Sequence, residues 1–356
     1  MAQTIIPGPD YDAALWGATL GVRRDQRFFR VTGSSPGQML NGLLTNSLPG
    51  PIQKGEDGGM RGSVVYSALL TARGRMITDL RIFRDPEEGF ILDLPPVGAE
   101  NAAAHFKKFL PPRLAQVEDR SSDFVLLTLL GPEAPALLAK TLSPMGFSLS
   151  MKEMAGLSEG EESLLRQPGG DTFRVSRNGQ CHAPAWDLLL PEAMAGELGD
   201  RLLAGGIIPL TTATLETLRV EKGRPAFGKD MDENTIPVEA GIQGRAIDYQ
   251  KGCYTGQEVI IRVRDRGHVS RELRGLLLGD APVPSSGQEL FQPDGDKSLG
   301  WITSAVASPA FEQTVALGYL RRGVGPGDVV GLGGADGAEV QVRALNDEGW
   351  IINDPR

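Results

Sequence analysis

Residues 251–258 concentrate reactive side chains in one short segment, Lys-Gly-Cys-Tyr-Thr-Gly-Gln-Glu. Its Cys253 is one of only two cysteines in 356 residues, and the nearby charge of Lys251 would favour a thiolate. The glycine between them would let a second backbone approach closely. Thr255 and Glu258 have the spacing of a capping box, which predicts a helix start whose free amides also favour an anion. The segment predicts a reactive thiol, and a loop cysteine before an ordinary turn stays open as the alternative.

Two acidic residues are further candidates for chemistry. Glu221 lies in a helix-like segment, where it could be a solvated carboxylate paired with Arg219 or Lys222. Asp79 lies in a strand-like segment and shares a face with Arg81, so a surface ion pair is its simplest interpretation. From the residues alone, both acids could be either functional or structural.

A cationic segment follows the octapeptide. Alternating valines predict a hairpin that could hold a polyglutamate tail or an RNA phosphate, or could be a solvated strand face. We favour the solvated face, with Arg262 as the exception that contacts a ligand. The basic residues are Arg262, Arg264, Arg266, His268, Arg271 and Arg274.

Overall charge limits the classes of partner. The chain has 36 basic and 45 acidic residues, a formal charge of −9, which argues against a general polyanion binder. It has no apolar run long enough to span a bilayer and no leader pattern at its start, so the expected location is the cytoplasm and no membrane partner is expected.

The counts of cysteine and histidine limit the possible metal sites. Cys181 and Cys253 cannot supply the four thiolates of a usual iron–sulfur cluster, and there is no paired Cys-x-x-Cys for zinc. We therefore expect no metal site. The adjacent Cys181 and His182 resemble a dyad, but neighbours on a strand point to opposite faces, so the pair is interpreted as structural.

The elements that must position these residues mix helices and strands. Residues 50–62 contain five glycines and predict a loop. After about residue 271, short strands between Gly and Pro indicate a small antiparallel barrel. Helices are expected at 36–44, 99–110, 132–142, 191–204 and 212–222, and strands at 63–70, 75–83, 90–94, 273–278, 300–306, 314–320 and 339–344.

Motifs spread along the chain resemble, in order, the YgfZ-type folate-binding proteins, which are relatives of the aminomethyltransferase (T-protein) of the glycine cleavage system. The octapeptide is similar to the signature that separates the YgfZ branch from the transferase branch. The other matching segments are 42–46 (Gly-Leu-Leu-Thr-Asn), 74–80 (Gly-Arg-Met-Ile-Thr-Asp-Leu), 218–223 (Leu-Arg-Val-Glu-Lys-Gly), Gly228, 237–241 (Pro-Val-Glu-Ala-Gly), 299–304 (Leu-Gly-Trp-Ile-Thr-Ser) and 316–320 (Ala-Leu-Gly-Tyr-Leu).

The resemblance implies an α+β, multi-domain aminomethyltransferase-like fold. Two interleaved α+β subdomains would form a folate-binding module over residues 1–270, and residues 271–356 would form the C-terminal antiparallel β-barrel domain, all arranged around a central opening. The implied cofactor is tetrahydrofolate in an unspecified one-carbon state.

The resemblance also implies roles for individual residues. Glu221 falls on the glutamate that binds the pterin, and a carboxylate can accept two parallel hydrogen bonds from that ring. Asp79 matches the aspartate beside the folate nitrogens. Lys251 and Cys253 would form a reactive lip near the cofactor, and Arg262, singled out above from the cationic segment, is the further candidate to bind it.

Two departures from the transferase pattern distinguish the function that the resemblance implies from aminomethyl transfer. Where the transferases carry an asparagine after the next strand, this chain reads Leu-Asp-Leu-Pro-Pro over residues 92–96 and has no asparagine until Asn101, and where they carry an arginine it has the segment 250–253, which ends at Cys253. The resemblance thus implies a folate-binding protein that supports iron–sulfur cluster assembly or repair in client enzymes, including tRNA-modifying ones, with direct tRNA contact only weakly indicated. The retained Asp79 keeps a folate-dependent aminomethyltransferase open as the alternative, and a scaffold without ligand is the third possibility.

Overall fold

The computed structural model describes residues 5–55, 59–166, 172–293, 295–334, 337–345 and 350. Several helices begin at a proline in the first turn, where its missing N–H breaks no helical hydrogen bond. The helices are α1 (Pro9–Trp16), α2 (Pro36–Asn41), α3 (Pro96–Phe109), α4 (Ala134–Leu142), α5 (Met151–Ala155), α6 (Glu192–Ala204), α7 (Thr212–Glu221), α8 (Gln243–Ala246) and α9 (Gln257–Arg266), with a 3₁₀ turn at Ser143–Met145.

Twelve strands form one curled sheet in the order β12-β1-β8-β11-β10-β9-β4-β5-β6-β2-β7, with β3 paired to β4. The strands are β1 (Thr19–Arg23), β2 (Arg27–Thr32), β3 (Gln53–Lys54), β4 (Met60–Leu70), β5 (Met76–Arg84), β6 (Phe90–Leu94), β7 (Gln116–Asp119), β8 (Phe124–Leu130), β9 (Glu161–Arg166), β10 (Thr172–Asn178), β11 (Ala185–Pro191) and β12 (Ile208–Pro209).

The long strand β4 joins the two halves of this sheet. Its first residues, 60–63, pair with β9, and its residues 64–70 pair with β5. Each half has its own apolar core: one packs against α4 and α6, and the other against α2 and α3. Strand β4 is therefore shared by both halves of the sheet.

A buried ion cluster also crosses between the halves. Arg81 of β5 contacts Asp93 of β6 and Asp187 of β11, each at 2.5 Å. Gln26 donates to Asp93, and Thr128 donates to Asp187. Since Arg81 has these two partners, the expected surface pair between Asp79 and Arg81 is wrong.

The C-terminal part is a closed antiparallel barrel in the order β13-β16-β15-β14-β17-β18. Strand β13 closes it by pairing with both β16 and β18. The strands are β13 (Arg271–Leu277), β14 (Glu289–Phe291), β15 (Ser298–Ser308), β16 (Gln313–Arg321), β17 (Val329–Leu332) and β18 (Ala338–Arg343). The expected α+β fold with a C-terminal barrel is confirmed.

Three local predictions are wrong. The first half of the cationic segment, through Arg266, is the helix α9 and not a hairpin, because Ile260 is buried on one helical face, whereas Arg271 and Arg274 lie on β13. The capping box is absent: the residue before α9 is Gly256 at φ 84°, and the Thr255 hydroxyl donates instead to the carbonyl of Gly42. Within the predicted loop 50–62, β3 pairs with the start of β4, while positions 56–58 lie outside the described residues.

No helix in the described part of the chain is long and apolar enough to cross a bilayer.

Candidate functional site

A cavity of about 980 Å³ lies where the sheet's helices meet the barrel. Its walls come from the ends of α1 and α7, from the chain between 238 and 245, and from β13. The charged residues that line it are Glu221, Lys222, Arg224, Glu239, Arg245, Glu272 and Arg274, and the aromatic ones include Trp16, His182 and Trp350.

Glu221 is the last residue of α7 and is only 1% exposed. Helix α7 begins after Thr211, whose hydroxyl accepts from the amide of Thr214. The Tyr11 hydroxyl is 3.0 Å from both carboxyl oxygens, and the Ser308 hydroxyl donates to Oε1 at 2.5 Å. The alternative of a solvated helix carboxylate is therefore wrong.

Burial also sets the charge state around Glu221. Loss of hydration raises the pKa of the carboxyl to about 7, although hydrogen bonds from Ser308, Tyr11 and the Ala310 amide oppose the shift. Nδ1 of His182 lies 3.3 Å from Oε2, but burial lowers the pKa of His182 to about 4. The histidine is thus neutral at pH 7 and does not neutralise the carboxylate.

The pair Cys181 and His182 lies in a bend between β10 and β11 rather than on a strand. Cys181 belongs to an apolar cluster, and burial raises the pKa of its thiol to about 12. The expectation of a structural role therefore fits Cys181, while His182 contributes to the cavity.

Asp79 lies on β5 and is partly buried. The Tyr66 hydroxyl donates to its Oδ2 at 2.8 Å, and burial raises the pKa of Asp79 to about 6. The guanidinium of Arg245, which lines the cavity, lies 4.8 Å from the centre of the Tyr66 ring. Asp79 is thus linked to the cavity wall through two side chains.

Lys251 links the octapeptide to the segment that contains Leu44 and Asn46. Its ammonium donates to the carbonyls of Leu44 and Asn46 at 2.8 and 2.7 Å, and burial lowers its pKa to about 8. The side-chain amide of Asn46 in turn donates to the carbonyls of Tyr66 and Arg245. The Lys251 ammonium is therefore directed at backbone oxygens rather than at Cys253.

Cys253 and Arg262 are both exposed, on the octapeptide and on α9. Of the five predicted site residues, only Glu221 is among the described residues that line the cavity. The structure brings Glu221 to the cavity and Asp79 near its wall, and it leaves Cys253 and Arg262 on the surface.

Sequence reasoning missed the residues that surround the two acids. Tyr11 lies 210 positions and Ser308 lies 87 positions from Glu221 in the chain. No local spacing connects residues so far apart. Tyr66 and Arg224 are only 13 and three positions from Asp79 and Glu221, and they were missed together with Arg245 because no sequence pattern marks them.

Known families resemble the two parts of this architecture. The GCVT N-terminal domain matches residues 26–251, and the glycine cleavage T-protein C-terminal barrel domain matches residues 271–348. The chain belongs to the glycine cleavage T-protein family. The broader part of the expected resemblance is therefore confirmed.

Individual relatives agree with this assignment. The aminomethyltransferase of Thermosynechococcus vestitus is 31% identical over 260 residues, which are 73% of this chain and 67% of the relative. That of Prochlorococcus marinus is 26% identical over 92% of this chain and 83% of its own length. The crystal structure of aminomethyltransferase T from Bartonella henselae superposes with a TM-score of 0.79 at 22% identity, covering 96% and 89% of the two chains, and thus shares the fold.

Proposed function

We propose that this member of the T-protein family binds tetrahydrofolate in the cavity and that Glu221 holds the pterin. The observation that carries the proposal is a buried carboxyl that lines the cavity and forms no ion pair with any described Lys or Arg. Oε1 accepts from Ser308 and from the Ala310 amide in addition to Tyr11, whereas Oε2 has only the shared Tyr11 hydroxyl and His182 at 3.3 Å, so Oε2 keeps a lone pair for a ligand donor. The pterin ring presents two such donors side by side.

The rest of the cavity wall combines polar and apolar side chains. Nε of Arg274 and Nε1 of Trp350 are buried with no hydrogen-bond partner among the described residues. Both residues line the cavity, together with apolar side chains such as Val238 and Ile242. A flat ligand with an aromatic body and polar ends fits a cavity that combines such apolar side chains with charged ones.

The names of the relatives favour aminomethyl transfer as the reaction. Tetrahydrofolate would supply the nitrogens that accept the one-carbon unit. Asp79 would lie near those nitrogens, and a carboxyl whose pKa is about 6 can hold or release a proton near neutral pH. The Tyr66 hydroxyl keeps Oδ2 of Asp79 oriented.

Support of iron–sulfur enzymes is the second candidate function, and two observations favour it. Cys253 is exposed and available to a client protein. The segment 92–96, which lacks the transferase asparagine, contains Asp93, and this carboxylate already accepts hydrogen bonds from Gln26 and Arg81. Under this candidate, Cys253 and Lys251 belong to a surface that meets iron–sulfur assembly or client proteins, tRNA-modifying enzymes among them.

Two assays separate the candidates. Ammonia release from an aminomethylated lipoyl carrier with tetrahydrofolate, at about 1 per second or faster, supports the transferase. Folate binding without turnover, together with complementation of a strain deficient in an iron–sulfur enzyme that is lost in Cys253→Ala, supports the second candidate. No binding of tetrahydrofolate would overturn both and leave a scaffold.

A further inference from the structure

Two arginines meet on one wall of the cavity with little negative charge to balance them. The side chains of Arg224 and Arg245 are 22% and 21% exposed. Each contacts the same carboxylate, Glu159, at 3.3 Å, and that carboxylate is itself 48% exposed. Two mostly buried guanidiniums therefore share one half-solvated anion.

Both guanidiniums are held in place before any ligand arrives. Nε of Arg224 donates to the carbonyl of Gly179 at 3.1 Å, and Arg245 lies over the ring of Tyr66. Burial and the neighbouring Arg245 together lower the pKa of Arg224, as expected for two like charges that are incompletely neutralised. A ligand anion would relieve this repulsion without rearranging either side chain.

Three other charged residues of the cavity are in ion pairs. Arg274 is paired with Glu272, and Glu239 is paired with Arg271. Lys222 also lines the cavity but is exposed, so the partly buried surplus of positive charge is concentrated at Arg224 and Arg245, in a chain whose formal charge is −9.

We propose that Arg224 and Arg245 form a subsite for a carboxylate, next to the Tyr66–Asp79 pair. Guanidinium groups bind carboxylates through paired N–H donors, and the half-solvated Glu159 occupies the position weakly. The carboxylate belongs either to the glutamate tail of a folate, a source that rests on the proposed function, or to a separate small substrate that meets Asp79. Arg262, which was expected to contact a ligand, lies on the exposed face of α9.

The test uses fragments that carry one part of the ligand each. p-Aminobenzoylglutamate carries the tail without the pterin, 6-methyltetrahydropterin carries the pterin without the tail, and acetate and glycine represent small carboxylates. Binding to the full chain is measured by ligand-observed NMR. Arg224→Met and Arg245→Met should each weaken carboxylate binding about tenfold and leave 6-methyltetrahydropterin binding unchanged.

A variant that is expected to strengthen binding distinguishes loss of the subsite from misfolding. Glu159→Gln removes the competing anion, so it should strengthen binding of the same carboxylate severalfold. Arg264→Met is the matched control, because Arg264 also lies 4.8 Å from a tyrosine ring and contacts a carboxylate, but on the exposed face of α9. It should change nothing.

The fragments also distinguish the sources. Arginine-dependent binding of p-aminobenzoylglutamate supports the folate tail, and the same dependence for acetate or glycine alone supports a separate carboxylate substrate. Failure of 6-methyltetrahydropterin to bind would count against the proposed function, but the carboxylate measurements would still decide whether the arginine subsite exists. The subsite is overturned if no carboxylate binds, or if binding is equal in wild type, both arginine variants and Glu159→Gln.

Discussion

The carboxyl of Glu221 changes its charge state near neutral pH because it is buried. Its pKa rises from the usual 4.5 to about 7, so between these values the folded protein keeps a proton that the unfolded chain releases. Folding stability contributed by this group is therefore lost as the pH rises through that window. A shift of this size corresponds to on the order of 3 kcal/mol.

This titration predicts how ligand binding depends on pH. The pterin donors require the ionised carboxylate, so the affinity of the wild type for tetrahydrofolate should rise roughly tenfold between pH 6 and pH 8. Asp79 titrates in the same range, so the profile is compared with that of Glu221→Gln, which should be flatter. Calorimetry at several pH values measures both, and identical profiles would argue against Glu221.

The two cysteines should differ in reactivity because their exposure differs. Cys253 is exposed and Cys181 is buried, so a thiol reagent should label Cys253 first in the folded protein. Cys253→Ala should leave the melting temperature and folate affinity nearly unchanged, since the side chain is not among the described residues of any apolar core cluster. Mass spectrometry of the labelled protein checks the order, and faster labelling of Cys181 would contradict the exposure argument.

Among the elements, the junction between the octapeptide and the β4–β5 turn depends on one glycine. Gly256 has φ 84°, and a Cβ there would lie 2.6 Å from the carbonyl oxygen of Thr71. Gly256→Ala should therefore destabilise the protein by about 1–3 kcal/mol. Urea denaturation of both proteins measures the free energy of unfolding.

The same octapeptide supplies the matched control. Gly252 has no neighbour within 4 Å of an added Cβ, so Gly252→Ala should change the stability little. This also corrects the expectation that the glycine beside Cys253 permits a close backbone approach. Equal losses in the two variants would contradict the packing described for Gly256.

Elements with a clear apolar period could be predicted from the sequence. The strand expected at 90–94 is β6, and the helices expected at 99–110 and 191–204 are α3 and α6. A helix start was expected near Thr255, but the continuation of α9 was missed because Arg262, Arg264 and Arg266 recur every second residue, which imitates a strand face. Packing of Ile260 against the core outweighs that local pattern.

Only part of the site could be predicted in the same way. Residue patterns left Glu221 and Asp79 undecided, and the family resemblance selected them. The hydrogen bonds from Tyr11 and Tyr66 that orient these acids, and the arginine pair of the cavity wall, depend on how distant segments meet.

At the scale of the whole molecule, the cavity exists because the barrel closes against the sheet's helices. Residues from α1, α7 and β13 all contribute to its wall, and Ser308 of the barrel donates to Glu221 of α7. A ligand bound there would contact both parts of the chain at once. Its binding free energy would therefore add to the stability of the folded state.

Calorimetric titration of tetrahydrofolate into wild type, Glu221→Gln and Glu162→Gln tests the central claim most directly. Glu162 is a second fully buried glutamate, but it is not among the described residues that line the cavity. We expect the wild type and Glu162→Gln to bind equally, and Glu221→Gln to bind about tenfold or more weakly, the loss of a charge-assisted hydrogen bond of about 1.5–3 kcal/mol. Equal affinity of wild type and Glu221→Gln would contradict the role of Glu221 as the pterin anchor, and no binding by the wild type would contradict the folate site itself.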